Sequence, residues 1–291
     1  MRVCVILSLA SAMVVDAAFS EYTGKGTGEP ALLRKILSAF DPGDIAVFDR
    51  NCCSYMMLVL FGRIGVHVCT RVHGSRPVDF RKGKRLGKND CLVTWKRSQR
   101  PPWMSKEVYA AIPETMELRM LRYSLVAKDR RSKSITVVTT LVDSEEYSPE
   151  EIAQLYGCRW NVELDIRHIK RTLNIDHFRC KSPEMVEREF WTTLLGYNLV
   201  RKVMCEAAYF CGVLPRRLSF TRTSAHLLEL RLGLLQDLPD LRTLLGYLGR
   251  LLVPDRPGRF EPRVLKHRKY SYPKMKIPRQ KLKQIQMRKL S

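Results

Sequence analysis

The chain has 291 residues, 45% hydrophobic and 27% charged, enough for one large core or two smaller ones and too apolar for a disordered polymer. Its 51 Lys and Arg against 29 Asp and Glu give a formal net charge of +22, which points to a polyanion, nucleic acid foremost, and leaves ribosomes or an anionic membrane surface open. Nine scattered cysteines without a CxxC pair argue against a disulfide framework or a zinc site, and six histidines without HxxxH or HExxH spacing argue against a His-based metal centre.

The opening MRVCVILSLASAMVVDAAFS mimics a secretory leader, with a basic start, an apolar run and small residues behind it. Free cysteines and a basic body favour a reducing compartment rich in nucleic acid, so the expected location is cytoplasmic and nucleoid-associated. The run also divides into two β-rich segments, Arg2 to Ser8 and Met13 to Tyr22, and no later stretch reaches the roughly 18 apolar residues of a membrane span. A helix follows, with Thr27 as cap and Glu29 and Pro30 in its first turn, running to about Ala39. The preceding GKGTGE lacks the GxxxxGK[ST] order of a phosphate-binding loop. Asp41 to Asp44 reads as a turn, and Ile45 to Phe48 as a buried strand that delivers Asp49 at its C-terminal end.

Cys53 to Ile64 reads as a helix and Val66 to Arg71 as a strand, which completes a β-β-α-β-α-β start to an α/β core. From Val72 to Lys133 helical periodicity fades and 16 Lys/Arg face 6 Asp/Glu, the texture of a basic, β-rich insertion. Ser134 to Val142 returns to a core strand, SPEE at Ser148 to Glu151 opens a helix as a capping box, Glu184 to Phe210 is a long helix and Thr221 to Leu252 a Leu-rich helical pair. The tail from Arg256 to Ser291 holds 13 Lys/Arg against Glu261 alone, +12 of the total, and is broken by Pro273 and Pro278. The expected divisions are residues 1–71 and 134–210 for the two parts of the core, 72–133 for the insertion, 211–252 for C-terminal helices and 253–291 for the basic tail. No internal repeat of 20 to 50 residues is visible.

YGCRWNVELDIRHIKRTL, Tyr156 to Leu173, reads as one helix. At roughly 100° per residue Tyr156, Arg159, Glu163 and Lys170 fall on a polar stripe, beside an apolar stripe of Val162, Ile166, Ile169 and Leu173. Ordinary i,i+4 salt bridges of Glu163 with Arg159 or Arg167 are the simplest account of such a helix. The alternative is chemical. Asp49 at a strand end and Glu163 facing that core are two carboxylates that can share hard divalent cations, Mg²⁺ or Mn²⁺, as phosphoryl transfer demands, with the surrounding bases holding phosphates.

The pattern Y-x2-R-x3-E-x6-K at Tyr156, Arg159, Glu163 and Lys170 resembles the signature of DDE transposases of the insertion sequence 4 type. GDIAVFDRNCCSY resembles that family's second-aspartate block, LVDSEEYSPEEIAQLYGCRW its approach to the glutamate and DHFRCKSPEMVEREFWTTLLGYNLVR its continuation, so the likeness spans nearly Met1 to Leu252. It implies an RNase H-like mixed sheet flanked by helices, with a β insertion and a helical C-terminal part. It implies Asp49 and Glu163 as metal-binding acids, Tyr156, Arg159 and Lys170 on DNA phosphates, Mg²⁺ or Mn²⁺ as cofactor, and transposon-end duplex DNA with a homodimer as the active complex. Trp95 and Trp103 are the candidates for stacking a base flipped out of the DNA end. The family's first aspartate lies on a strand upstream of the opening hairpin; Asp16 does not match its context. A truncated remnant, a start codon placed too late and one product of a split frame remain open, and such a chain is expected to bind DNA without cutting it. The competing class is a basic nucleic-acid-binding protein without chemistry.

Overall fold

The structure, a computed structural model, describes residues 1–125, 133–173, 178–180, 182–231, 240–254 and 277–290. It divides into two units, Met1–Asp255 and Arg256–Ser291. Pro273 and most of the basic tail lie outside the described residues, as do residues 232–239 within the Leu-rich segment.

The opening apolar run folds as an antiparallel hairpin, β1 (Arg2–Leu7) against β2 (Val14–Ser20), with Val3 opposite Phe19 and Val5 opposite Ala17. The next helix, α1 (Glu29–Lys35), is shorter than its pattern suggests: it gives way to a 3-10 turn over Leu37–Ala39. Its cap is Gly28, without a side-chain hydrogen bond, because the Thr27 hydroxyl donates back to the Gly24 carbonyl at 3.0 Å. β3 (Ile45–Phe48) follows as expected, and Asp49 caps a 3-10 turn over Arg50–Cys52. α2 (Tyr55–Arg63) starts two residues late because Ser54 Oγ accepts from the Met57 N–H and holds the cap position itself. It ends in a Schellman pattern: Val66 N–H reaches the Phe61 carbonyl, Gly65 N–H the Gly62 carbonyl, and Gly65 takes the left-handed φ of +73°. The chain then enters β4 (His67–Arg71), parallel to β3.

The β-rich segment supplies β5 (Lys84–Gly87), β6 (Asp90–Lys96), a short α3 (Lys106–Ala110) and β7 (Thr115–Leu125), and β8 (Lys133–Thr139) returns to the core. All join one six-stranded mixed sheet in the order β3-β4-β8-β7-β6-β5, in which only β3 and β4 are parallel. The insertion thus extends the core sheet. The two-residue period of the strands sends Val68, Leu118 and Val138 to one face, where they pack with Leu32 and Leu33 of α1 and Phe61 of α2. Cys69, Leu121 and Val137 point to the other face. There they meet Ile152 and Tyr156 of α4 (Pro149–Gly157), which opens with the expected capping box: Ser148 Oγ accepts from Glu151 N–H at 3.2 Å, and Glu151 Oε2 accepts from Ser148 N–H at 2.9 Å. The result is a helix-flanked α/β sheet of the RNase H-like class.

The expected single helix over Tyr156 to Leu173 is divided. α4 ends at Gly157, Cys158 makes a tight join, α5 runs Arg159–Arg167, and a π-helical turn occupies His168–Thr172. The long helix is α6 (Pro183–Phe210), followed by α7 (Phe220–Arg231) and α8 (Leu241–Gly249). Phe190, Leu194 and Met204 of α6, Phe220 of α7 and Leu248 of α8 form a core with Val14 and Ala17 of β2 and Ile169 of the π turn. Within the second unit, α9 (Arg279–Leu290) begins directly after Pro278 and carries five Lys/Arg and no acid. No helix among the described residues is long and apolar enough to cross a membrane.

One buried ion pair joins the inserted strands to the loop before α4. Arg119 on β7 is fully buried and donates to Asp90 on β6 through Nε and Nη2, the latter at 2.6 Å, while its Nη1 donates to the carbonyls of Asp143 and Tyr147. Removing one partner strands the other charge in the sheet. Arg119→Met should therefore lower stability by about 3–5 kcal/mol in urea denaturation, and the double variant Arg119→Met with Asp90→Leu should recover most of that loss.

Candidate active site

Asp49 sits where the parallel pair β3–β4 ends. Its carbonyl accepts the Thr70 hydroxyl at 3.2 Å and its Oδ1 accepts the Arg50 N–H at 2.6 Å, so the backbone turn and the carboxylate brace each other, and the residue stays exposed. Glu163 projects from α5 with its side chain about half exposed. Both line one groove of about 1200 Å³, together with Arg159 and Lys170. Three of the four residues of the polar stripe, Arg159, Glu163 and Lys170, therefore open on the same groove as Asp49.

The shape of that groove follows from the strands. Every residue from Val3 to Leu7 of β1 and from Ile45 to Phe48 of β3 lines it, so the groove faces the edges of these strands, since a face would contribute only alternate residues. Among the described residues β1 pairs only with β2 and β3 only with β4, so there each turns an unpaired edge toward the groove. Val162, Ile166 and Ile169, three of the four residues of the apolar stripe, also line it.

The four signature residues differ in setting. Arg159 Nη2 donates to Glu163 Oε1 at 3.3 Å, so the simple salt-bridge reading describes a contact that is present; a half-exposed i,i+4 pair of this kind is worth about 0.3–0.5 kcal/mol. Arg159 also lies over the Trp160 ring at 4.7 Å, and its buried Nε has no hydrogen-bond partner. Tyr156 departs from the polar-stripe expectation: it closes α4, is 2% exposed among Cys69, Leu121 and Val137, and its hydroxyl has no partner either. Burial pushes its phenol up, Arg159 pulls it down, and the Asp49 carboxylate raises it again, so the ring lies within reach of both charges. Lys170 is exposed on the π turn, a backbone form found often at functional sites.

Three further candidates stand apart. Asp16 lies on β2, accepts the Ala17 N–H at 2.7 Å and does not line the groove. Trp95 is 8% exposed with the Arg76 guanidinium 3.6 Å from its ring centre, and Trp103 is about half exposed with Arg34 at 3.9 Å. Among the described residues no three His, Cys, Asp or Glu converge as a metal cage. Asp49 and Glu163 offer the hard carboxylate oxygens that Mg²⁺ or Mn²⁺ prefers, and two carboxylates are fewer than a pair of metal ions needs.

Sequence reasoning missed a polar cluster behind Glu163. Asp165, 2% exposed, accepts Arg201 Nη2 at 2.9 Å and Arg216 Nη2 at 3.0 Å. Burial pushes its carboxyl up against the opposing pull of Arg216 and Arg201. Arg201 Nη2 also lies 3.2 Å from His168 Nδ1, and a guanidinium only donates, so Nδ1 is the bare nitrogen of a neutral imidazole. Burial, then Arg201 and Arg167, bring the His168 pKa down to about 4. The available signal was Asp165 itself, an acid four residues from Ile169 at the margin of the apolar stripe, where only a paired carboxylate is tolerated.

The chain also matches known proteins in sequence. A family model described as Transposase DDE domain matches residues 1–199. The chain is 28% identical over 275 residues to the transposase InsG for insertion sequence element IS4 of Escherichia coli strain K12, covering 92% of this chain and 60% of that protein. It is 25% identical over 114 residues to the transposase for insertion sequence element IS421 of Escherichia coli, 35% of this chain and 30% of that one. The chain thus spans less than two thirds of the length of these relatives.

The neutral His168 sets a pH dependence. Its folded pKa of about 4 lies below the ordinary 6.5, so between these values the unfolded chain binds a proton that the folded chain refuses. Stability should fall as pH drops from about 6.5 toward 4, and His168→Gln should flatten that fall in urea titrations taken across this range; parallel slopes for the two proteins would remove His168 from the account.

Proposed function

The chain belongs to the family of DDE-domain transposases of the insertion sequence 4 type, and we propose that it works on the duplex DNA ends of an insertion sequence by metal-dependent strand cleavage and transfer. The observation that carries this reading is the shared groove: Asp49 and Glu163, more than a hundred residues apart, open on it together with Arg159 and Lys170. Asp49 and Glu163 hold a divalent cation, Mg²⁺ or Mn²⁺. Bound there, such ions supply charge neutralisation at the scissile phosphate, favouring the attacking oxygen and stabilising the leaving one. Arg159 would exchange its ion pair with Glu163 for a phosphate oxygen, and Lys170 would hold a neighbouring phosphate. Tyr156 acts from below through its buried ring, 5.9 Å from the Arg159 guanidinium.

Two carboxylates are too few to fix two metal ions. We place the third on an extended strand that fills the groove, pairs with the free edges of β1 and β3, and brings an aspartate beside Asp49. The active assembly is a homodimer on two transposon ends, cytoplasmic and nucleoid-associated. The incomplete acid set and the basic tail also support a second reading, DNA binding without chemistry by these 291 residues on their own.

Two experiments separate these. In a nicking assay with Mg²⁺ on end-sequence duplex, the 291-residue chain should bind without cutting, and a chain extended ahead of Met1 by a strand ending in aspartate should cut. In that extended chain Asp49→Asn or Glu163→Gln should reduce cutting to background with affinity for DNA nearly unchanged. Cutting by either variant would remove the residue from the site. Separately, deletion of residues 256–291 should weaken binding and flatten its salt dependence, the slope falling by about 0.9 for each phosphate that the tail neutralises. An unchanged slope would show that the tail is not the DNA arm.

A further inference from the structure

Glu163 is exposed on a helix that is short, broken before it at Cys158 and distorted after it by the π turn, so its own backbone does little to fix its direction. What fixes it lies on the opposite side of α5. Two residues on, a side chain points about 160° away, and there Asp165 is buried between Arg201 of α6 and Arg216 of the 3-10 turn over Pro215–Arg217. Neither guanidinium is loose. Arg201 Nε donates to the Tyr197 hydroxyl at 2.9 Å, that hydroxyl donates to the Ala12 carbonyl at 2.8 Å, and the Arg201 guanidinium lies 4.7 Å from the centre of the Phe220 ring. Arg216 donates through Nη2 to the Ser8 carbonyl at 3.2 Å and through Nε to the Leu9 carbonyl. Both arginines are therefore tied to the turn of the β1–β2 hairpin, the hairpin whose other strand edge walls the groove.

From this geometry we infer that Asp165, Arg201 and Arg216 are positioning residues: they set the rotation of α5 relative to the β1 wall and so aim Glu163 into the groove. The inference rests on the reading of Glu163 as a metal ligand only for its consequence, not for the clamp itself. Arg201 and Arg216 both lie beyond residue 199, where the family match ends, so the C-terminal helices take part in building the site. The arrangement is two-pronged. Each carboxylate oxygen has its own guanidinium, which resists rotation of the helix about its axis in either sense, as a single hydrogen bond would not.

The test uses the full 291-residue chain with four variants, Arg216→Met, Arg216→Lys, Glu163→Gln and Leu248→Ala. The last removes a fully buried side chain from the same C-terminal core without touching the clamp. Hydrogen exchange is read well below every melting temperature. Arg216→Met should speed amide exchange over residues 159–172 about tenfold, Arg216→Lys should restore much of the protection because an ammonium still reaches one carboxylate oxygen, and Leu248→Ala should leave this segment as in the parent chain. Mn²⁺ titration followed by electron paramagnetic resonance should show binding abolished in Glu163→Gln, weakened about tenfold in Arg216→Met and unchanged in Leu248→Ala. Parent-like exchange and Mn²⁺ affinity in Arg216→Met would overturn the clamp, as would equal effects from Leu248→Ala. Should Glu163→Gln bind Mn²⁺ as the parent does, the metal reading falls, and the exchange data alone decide the clamp.

Discussion

A single carboxylate held between two guanidinium groups underlies the arrangement of this protein. Isolated in a core, Asp165 would be too costly to ionise; with Arg201 on one oxygen and Arg216 on the other it becomes the point where α5, α6, the Pro215–Arg217 turn and the opening hairpin meet. One wall of the groove and the helix that bears Glu163 depend on that meeting. α5 carries Glu163 on its open side, the hairpin supplies the β1 wall, and α6 backs both through the core of Phe190, Leu194 and Val14. The second wall rests on the main sheet, where α1 and α2 fix β3 and Asp49, and α1 also packs against the hairpin through Ala18, Cys4 and Ile6. The groove is thus the seam between two cores, one built on the six-stranded sheet and one on the hairpin and C-terminal helices.

Such a seam suits work on DNA. The bases that approach it, Arg159 and Lys170, sit on an element whose far side is anchored in one core, while Asp49 belongs to the other. Arg159 bonded to Glu163 leaves neither charge bare in the groove. The buried pair of Arg119 and Asp90 plays a comparable part farther away. It ties β6 and β7 to the loop that leads into α4, the helix that carries Tyr156.

Much of this was legible in the sequence because the signals were local. The short apolar run of Ile45 to Phe48, the β-branched run from Ser134, the Ser148–Glu151 capping box and the long run of α6 needed only neighbours along the chain. The motif spacing and its family likeness also singled out Asp49 and Glu163, and both line one groove. What escaped was decided by tertiary contact. The division at Cys158 and the π turn at His168 have no Pro or strand-forming run to announce them, and Tyr156 shares the helical phase of Glu163 yet turns inward because it belongs to α4, on the far side of the break. Thr27 yields the cap to Gly28 through a local hydroxyl bond. Arg201, spaced like a surface base, is buried and Arg216 half-buried because Asp165 is there to receive them.

The central claim is that Asp49 and Glu163 hold one divalent cation between them, and iron-directed cleavage tests it most directly. With Fe²⁺ replacing Mg²⁺ and ascorbate as reductant, radicals formed at the bound ion cut the polypeptide nearby. The account predicts two cuts, one beside Asp49 and one beside Glu163, both suppressed by excess Mg²⁺ and both absent in Glu163→Gln. Cuts confined to one of these positions, or cuts that persist in Glu163→Gln, would contradict it.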